Sequence, residues 1–166
     1  MTLPKKLTLV GTLVTVVFFS VGCSQSLEKT LVEEPPEARF QEMTAVEYSN
    51  KITRTIMPLL NDGQTHMTHH LDVVKGKYPI QQEIQLTEYS IDRAQRAIEE
   101  VNGLNPPDSY REHKLEAVHK LTLYKDALMR YQSALKTGET DKIKSAADLL
   151  KNEWATVNTV STPYQQ

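Results

Sequence analysis

Residues capable of chemistry gather in two short strings. The first is His66-x-x-His69-His70, with Asp62 one turn earlier. Spacings of three and four set side chains on adjoining turns of a helix, and imidazole nitrogens with a carboxylate suit Zn²⁺, Cu²⁺ or Ni²⁺. Asp62, His66, His69 and His70 are therefore the candidate metal ligands, although a tight tetrahedral site needs ligands fixed in place by the fold. At about 100° per residue, with Met67 as the middle of the core-facing stripe, His69 points toward solvent, His66 to the side and His70 to the core edge. The expectation is a surface histidine cluster. Metal capture or sensing is its functional reading, and simple solvation the plainer one.

The second string is Glu116-Ala117-Val118-His119, the E-x-x-H spacing with which carboxylate-bridged di-iron bundles turn Glu and His inward. Here His119 points opposite Leu128, away from the core, and no Glu falls on the apolar seams of the other helices, so the remaining ligands are missing. His113, at the seam boundary of the same helix, is expected to hydrogen-bond between helices. C-x-x-C-H is absent, which excludes covalent haem, and there is no G-x-S-x-G or Walker-type loop. No nucleophile stands beside a base. The sequence predicts neither a cofactor nor an enzyme.

The single cysteine, Cys23, follows an N-terminus of distinctive layout. Lys5 and Lys6 precede an apolar run from Leu7 to Val21, about 15 residues, which is shorter than the roughly 20 of an ordinary spanning helix and has the form of a secretory signal. Ser20-Val21-Gly22-Cys23 closes it. This string resembles a bacterial lipobox, with Ser20 where Leu is the usual first residue. The resemblance implies diacylglyceryl modification of the Cys23 thiol, cleavage before it, and a chain held on the outer face of the cell membrane by lipid. Each buried acyl CH₂ contributes about 0.8 kcal/mol to such an anchor, so two or more chains hold a protein at the surface without a spanning helix. With no second cysteine, the domain cannot hold itself together by an internal disulfide.

Charge narrows the partners. The chain has 19 Lys plus Arg against 21 Asp plus Glu, and without the leader's two lysines the balance is 17 against 21. Such a mildly acidic chain lacks the basic footprint of nucleic-acid binders. Hydrophobic residues make up 39% and Gly and Pro are few, which fits a globular domain and excludes collagen-like, mucin-like or wholly disordered classes.

The elements that must position the candidate residues are helical throughout. Residues 1–22 read as the signal and 23–43 as the lipidated N-terminus and tether, where Glu33-Glu34-Pro35-Pro36-Glu37 blocks a stable helix. A coil of that length spans about 25 Å. Residues 44–162 form the domain. Its first helix carries Ile52, Ile56, Leu60, Met67, Leu71 and Val74 and is expected to be kinked or broken near Pro58 to Gly63. The second has the seam Ile80, Ile84, Thr87, Ile91, Ala94, Ile98 and Val101 and stops at Asn102-Gly103. After Pro106-Pro107, Ser109 and Glu112 suggest a capping box before the seam Tyr110, Ala117, Leu121, Tyr124, Leu128, Tyr131 and Leu135. The last helix, capped by Thr140 or Asp141, turns Ile143, Ala146, Ala147, Leu150, Trp154 and Val157 inward, and its tail from Thr159 is expected to fray.

Four amphipathic segments joined by short loops predict an all-α, antiparallel up-down four-helix bundle. Signal, proline-bearing tether and bundle together resemble the small uncharacterised lipoproteins of Gram-positive bacteria. That resemblance implies a location and no activity. The expected role is a lipid-anchored, extracytoplasmic, non-enzymatic binding or interaction module. Its partners are the membrane, through the N-terminal lipid, and an envelope protein; metal capture by the histidine cluster is the alternative.

Overall fold

Thr44 starts the first helix by holding its free N–H groups. Its Oγ1 accepts from the Glu47 N–H at 3.2 Å, and Glu47 Oε2 accepts from the Thr44 N–H at 2.8 Å, a reciprocal capping box. Those hydrogen bonds hold the Glu47 carboxyl below its usual pKa. A computed structural model describes residues 42–161 and contains α1 (Ala45–Val74), α2 (Ile80–Asn102), α3 (Arg111–Thr137) and α4 (Thr140–Thr159). A 3-10 turn, Asp108–Tyr110, leads into α3. No strand occurs among the described residues. The expected signal, Cys23 and nearly all of the tether lie outside them.

Each helix packs on its neighbours in sequence, and α1 against α4 closes the ring. Cross-helix bonds fix the directions. Lys51 pairs with Glu100 and Asp62 with Arg93, so α2 runs antiparallel to α1. Thr53 reaches Ser161 while Trp154 reaches Leu60, so α4 also runs against α1. Lys125 meets Gln95 while Tyr131 meets Glu83, so α3 runs against α2, and α4, joined to α3 by the short turn at Gly138, returns to place Thr159 beside Lys120. The protein is an all-α antiparallel four-helix bundle. None of the described helices is long and apolar enough to cross a membrane.

The chain turns where the backbone demands glycine. Gly76 and Gly138 have φ of +69° and +71°, in the left-handed region where a Cβ is unfavourable. At Gly76 the Lys77 N–H returns to the Asp72 carbonyl at 2.8 Å and satisfies one of the carbonyls left free by the end of α1.

Four local expectations need correction. First, of the two alternatives for α1, a break near Pro58 to Gly63 does not occur; it is one continuous helix of 30 residues with Pro58 inside it. All three other helices anchor this stretch of α1 through its carbonyls: Pro58 accepts from Arg93 Nη1 at 3.5 Å, Leu59 from Tyr124 Oη at 3.3 Å and Leu60 from Trp154 Nε1 at 3.0 Å. Gly63 does not stop the helix but leaves room for the Trp154 indole, since a Cβ there would run into Trp154 Cδ1. Second, the core face of the later part of α1 passes through Leu59, Gly63, His66 and Val73, leaving Leu71 51% exposed. Third, Ser109 and Glu112 form no capping box; the 3-10 turn replaces it, and Thr140 is the first helical residue of α4 rather than its cap. Fourth, Val160 and Ser161 are buried instead of frayed, and the Thr53 hydroxyl holds the Ser161 carbonyl at 2.9 Å.

The apolar centre is built from Tyr48, Ile52, Ile56 and Leu59 of α1, Leu121, Tyr124, Leu128 and Leu135 of α3, and Ile143, Leu150 and Val157 of α4. Helix α2 differs. Its innermost residues are Glu83, Thr87, Ser90, Ala94, Ala97 and Val101, with the expected Ile80, Ile84, Ile91 and Ile98 along one flank. Small and polar side chains occupy the centre of the α2 seam, and the bulkier isoleucines fill its margin.

Candidate functional site

The polar interior begins with one carboxylate. Glu83, 0% exposed, projects from the first turn of α2 toward the later half of α1 and collects donors from two helices. His66 Nδ1 lies 2.6 Å from its Oε1, His69 Nδ1 lies 3.0 Å from its Oε2, and the Tyr131 hydroxyl of α3 donates to Oε1 over a longer 3.4 Å. An isolated buried carboxylate is costly, and three donors supply the partners that make burial tolerable.

His66 is itself fully buried, with the Tyr131 ring edge-on at 5.9 Å between centroids. Its Nε2 is 3.0 Å from Ser90 Oγ, and that hydroxyl also lies 3.1 Å from the Leu86 carbonyl. The hydroxyl therefore has two useful orientations. Turned to Nε2, it donates to a neutral ring; turned to Leu86, it accepts from the N–H of a charged one. Either form of His66 keeps a full set of hydrogen bonds.

At the outer side, His69 stacks on Tyr78 with centroids 4.1 Å apart and planes inclined by 23°. At the other end, Asp62 Oδ1 takes Arg93 Nη1 at 3.1 Å while Oδ2 has no partner among the described residues. Burial raises the Asp62 carboxyl pKa, against the opposing pull of Arg93, His66 and Ser90. The α1–α2 seam thus carries an almost continuous polar row from Arg93 and Asp62, through Ser90 and His66, to Glu83 and His69.

This geometry revises the surface-cluster expectation. His66 lies inside the bundle because the core stripe of α1 is centred on Gly63 and His66, one residue before Met67. A Glu does occupy a seam, contrary to expectation, because His66, His69 and Tyr131 satisfy it. His70 donates from Nδ1 to the Met67 carbonyl at 2.8 Å. His66 and His69 both hold the Glu83 carboxylate, whereas Asp62 holds Arg93 and His70 the Met67 carbonyl, so the four do not converge on one point; among the described residues no group of three or more His, Cys, Asp or Glu is arranged to hold a metal ion.

His113 behaves as the sequence suggests. Its Nδ1 accepts from the Tyr48 hydroxyl at 2.8 Å, joining α3 to α1. Burial lowers the His113 pKa and pushes that of Tyr48 up to about 12. His119 is exposed, and Glu116 lies on the surface with Lys120.

The residues missed in the sequence are Glu83, Ser90, Tyr78 and the polar role of Tyr131. One signal was available: the steps of three and four linking Ala94, Ala97 and Val101 continue backward through Ser90, Thr87 and Glu83. Compared with known proteins, the chain matches no family model, and no curated protein or solved structure matches it significantly.

Proposed function

We propose that the protein is a lipid-anchored, extracytoplasmic helical bundle that serves the cell envelope as a non-enzymatic interaction module. The anchor is supported by Ser20-Val21-Gly22-Cys23 at the end of the apolar run. The observation that carries the non-enzymatic reading is the closure of the interior. Glu83 and His66, the titratable pair at its centre, are wholly buried and bonded to one another and to Ser90 and Tyr131. A general acid or base must reach its substrate within hydrogen-bond distance, directly or through one water. This pair instead ties α1, α2 and α3 together, leaving recognition to the outer faces.

Metabolic labelling of the full chain with a radiolabelled fatty acid tests the anchor. The wild-type chain is expected to take up label and lose its leader, while Cys23→Ala does neither. An unlabelled wild-type chain overturns the membrane reading. The metal alternative is tested by calorimetric titration of Zn²⁺ and Cu²⁺ into the full chain and into H69A/H70A, which leaves the buried His66 in place. Binding tighter than about micromolar that disappears in the variant would establish metal capture instead.

A further inference from the structure

A groove between α1 and α2, toward the start of α1, is lined by Arg54, Thr55, Pro58, Arg93, Arg96 and Glu100. Three guanidinium groups face one carboxylate there, and Glu100 also lies 3.5 Å from Lys51 Nζ. This reverses the sign of a chain whose formal net charge is -2. The arginines differ in their restraint. Arg93 is fixed by Asp62, the Pro58 carbonyl and the Tyr89 hydroxyl, with its guanidinium carbon 4.6 Å from the centre of the Tyr89 ring. Arg54 and Arg96 are exposed and have no ion-pair partner among the described residues. A guanidinium held in place and two free ones beside it form a fork suited to the tetrahedral oxygens of a phosphate.

A second observation concerns Thr55, a groove residue only 8% exposed. Thr53, Thr65, Thr68, Thr87 and Thr122 each donate to the carbonyl four residues earlier. The Thr55 hydroxyl makes no such bond and has no partner among the described residues. A buried polar group without a partner is uncommon, and Thr55 lines the same groove as the three arginines.

We infer that this groove binds a phosphate-type anion through Arg54, Arg93 and Arg96, which rests on the interaction-module reading and gives that module's partner a chemistry. The phosphate is either that of an anionic lipid headgroup or a free one. The full chain is placed in neutral phosphatidylcholine vesicles, and hydrogen exchange of α1 and α2 peptides is followed in two arms. In one, inorganic phosphate is added at constant ionic strength; in the other, phosphatidylglycerol replaces part of the lipid. Saturable protection of the groove peptides is expected. Half-saturation should move at least about tenfold in R54Q/R96Q, the loss of two charge-assisted contacts, and stay unchanged in K142Q/K144Q, which removes equal charge elsewhere. A response to inorganic phosphate assigns a free anion, and a response to phosphatidylglycerol alone assigns the lipid phosphate. No protection in either arm, or equal protection in R54Q/R96Q, overturns the inference. Fatty-acid labelling without an anion response removes only the groove; absence of labelling removes the membrane reading whatever the groove does.

Discussion

His66 Nδ1 and Glu83 Oε1 meet at 2.6 Å across the α1–α2 seam, with neither side chain exposed. Removal of either member leaves the other buried without its principal partner. His66→Leu and Glu83→Leu are each expected to cost about 3–5 kcal/mol, while H66L/E83L recovers much of that loss because no buried charge remains. Urea unfolding of the two single variants and the double variant measures the coupling. Additive losses would show that the pair does not act as a unit.

Gly63 and Trp154 provide a test of packing. In an exposed helix interior Gly→Ala gains up to about 1 kcal/mol, but here the new methyl would enter the indole. G63A is expected to lose about 1–3 kcal/mol by overpacking. In a W154L background the same change should cost less or become favourable. Thermal unfolding of the four chains distinguishes steric conflict from backbone preference.

His113 gives stability a dependence on pH. Its folded pKa lies below the ordinary 6.5 chiefly because of burial, so the folded chain binds fewer protons than the unfolded one. The stability it contributes is present above pH 6.5 and is lost as pH falls through the folded value. His113→Gln keeps an acceptor for the Tyr48 hydroxyl and removes the titration. The urea midpoint of the wild-type chain should therefore fall further than that of H113Q between pH 7.5 and pH 5.5. Equal falls would assign the acid sensitivity to other groups.

Thr55→Val replaces an unpartnered buried hydroxyl with a methyl of similar size. The variant is expected to be more stable by about 1 kcal/mol, since nothing is lost in exchange for the removed desolvation cost. It should also bind phosphate more weakly if the hydroxyl serves the groove. Calorimetric unfolding and the hydrogen-exchange titration read the two effects separately.

The sequence by itself determined the helical architecture, because steps of three and four with short polar breaks admit few other ways of burying the apolar faces. It placed the inward residues of α3 and α4 well, where Leu121, Tyr124, Leu128, Leu150 and Val157 are large and apolar at regular spacing. His113 was legible too, as a polar residue at the edge of such a seam. Only the tertiary structure decided how α1 and α2 face each other. Gly63 signals a break until Trp154 of α4 is seen against it, and Pro58 does the same until Arg93, Tyr124 and Trp154 are seen anchoring that stretch through the carbonyls of Pro58, Leu59 and Leu60. Glu83 and His66 read singly as surface residues, because burial of either alone is unfavourable. Their inward placement becomes intelligible only as a pair, brought from positions 17 residues apart by the turn between α1 and α2. Hydrophobic periodicity records what each helix excludes from water, whereas a buried polar contact depends on a partner that only the packed fold supplies.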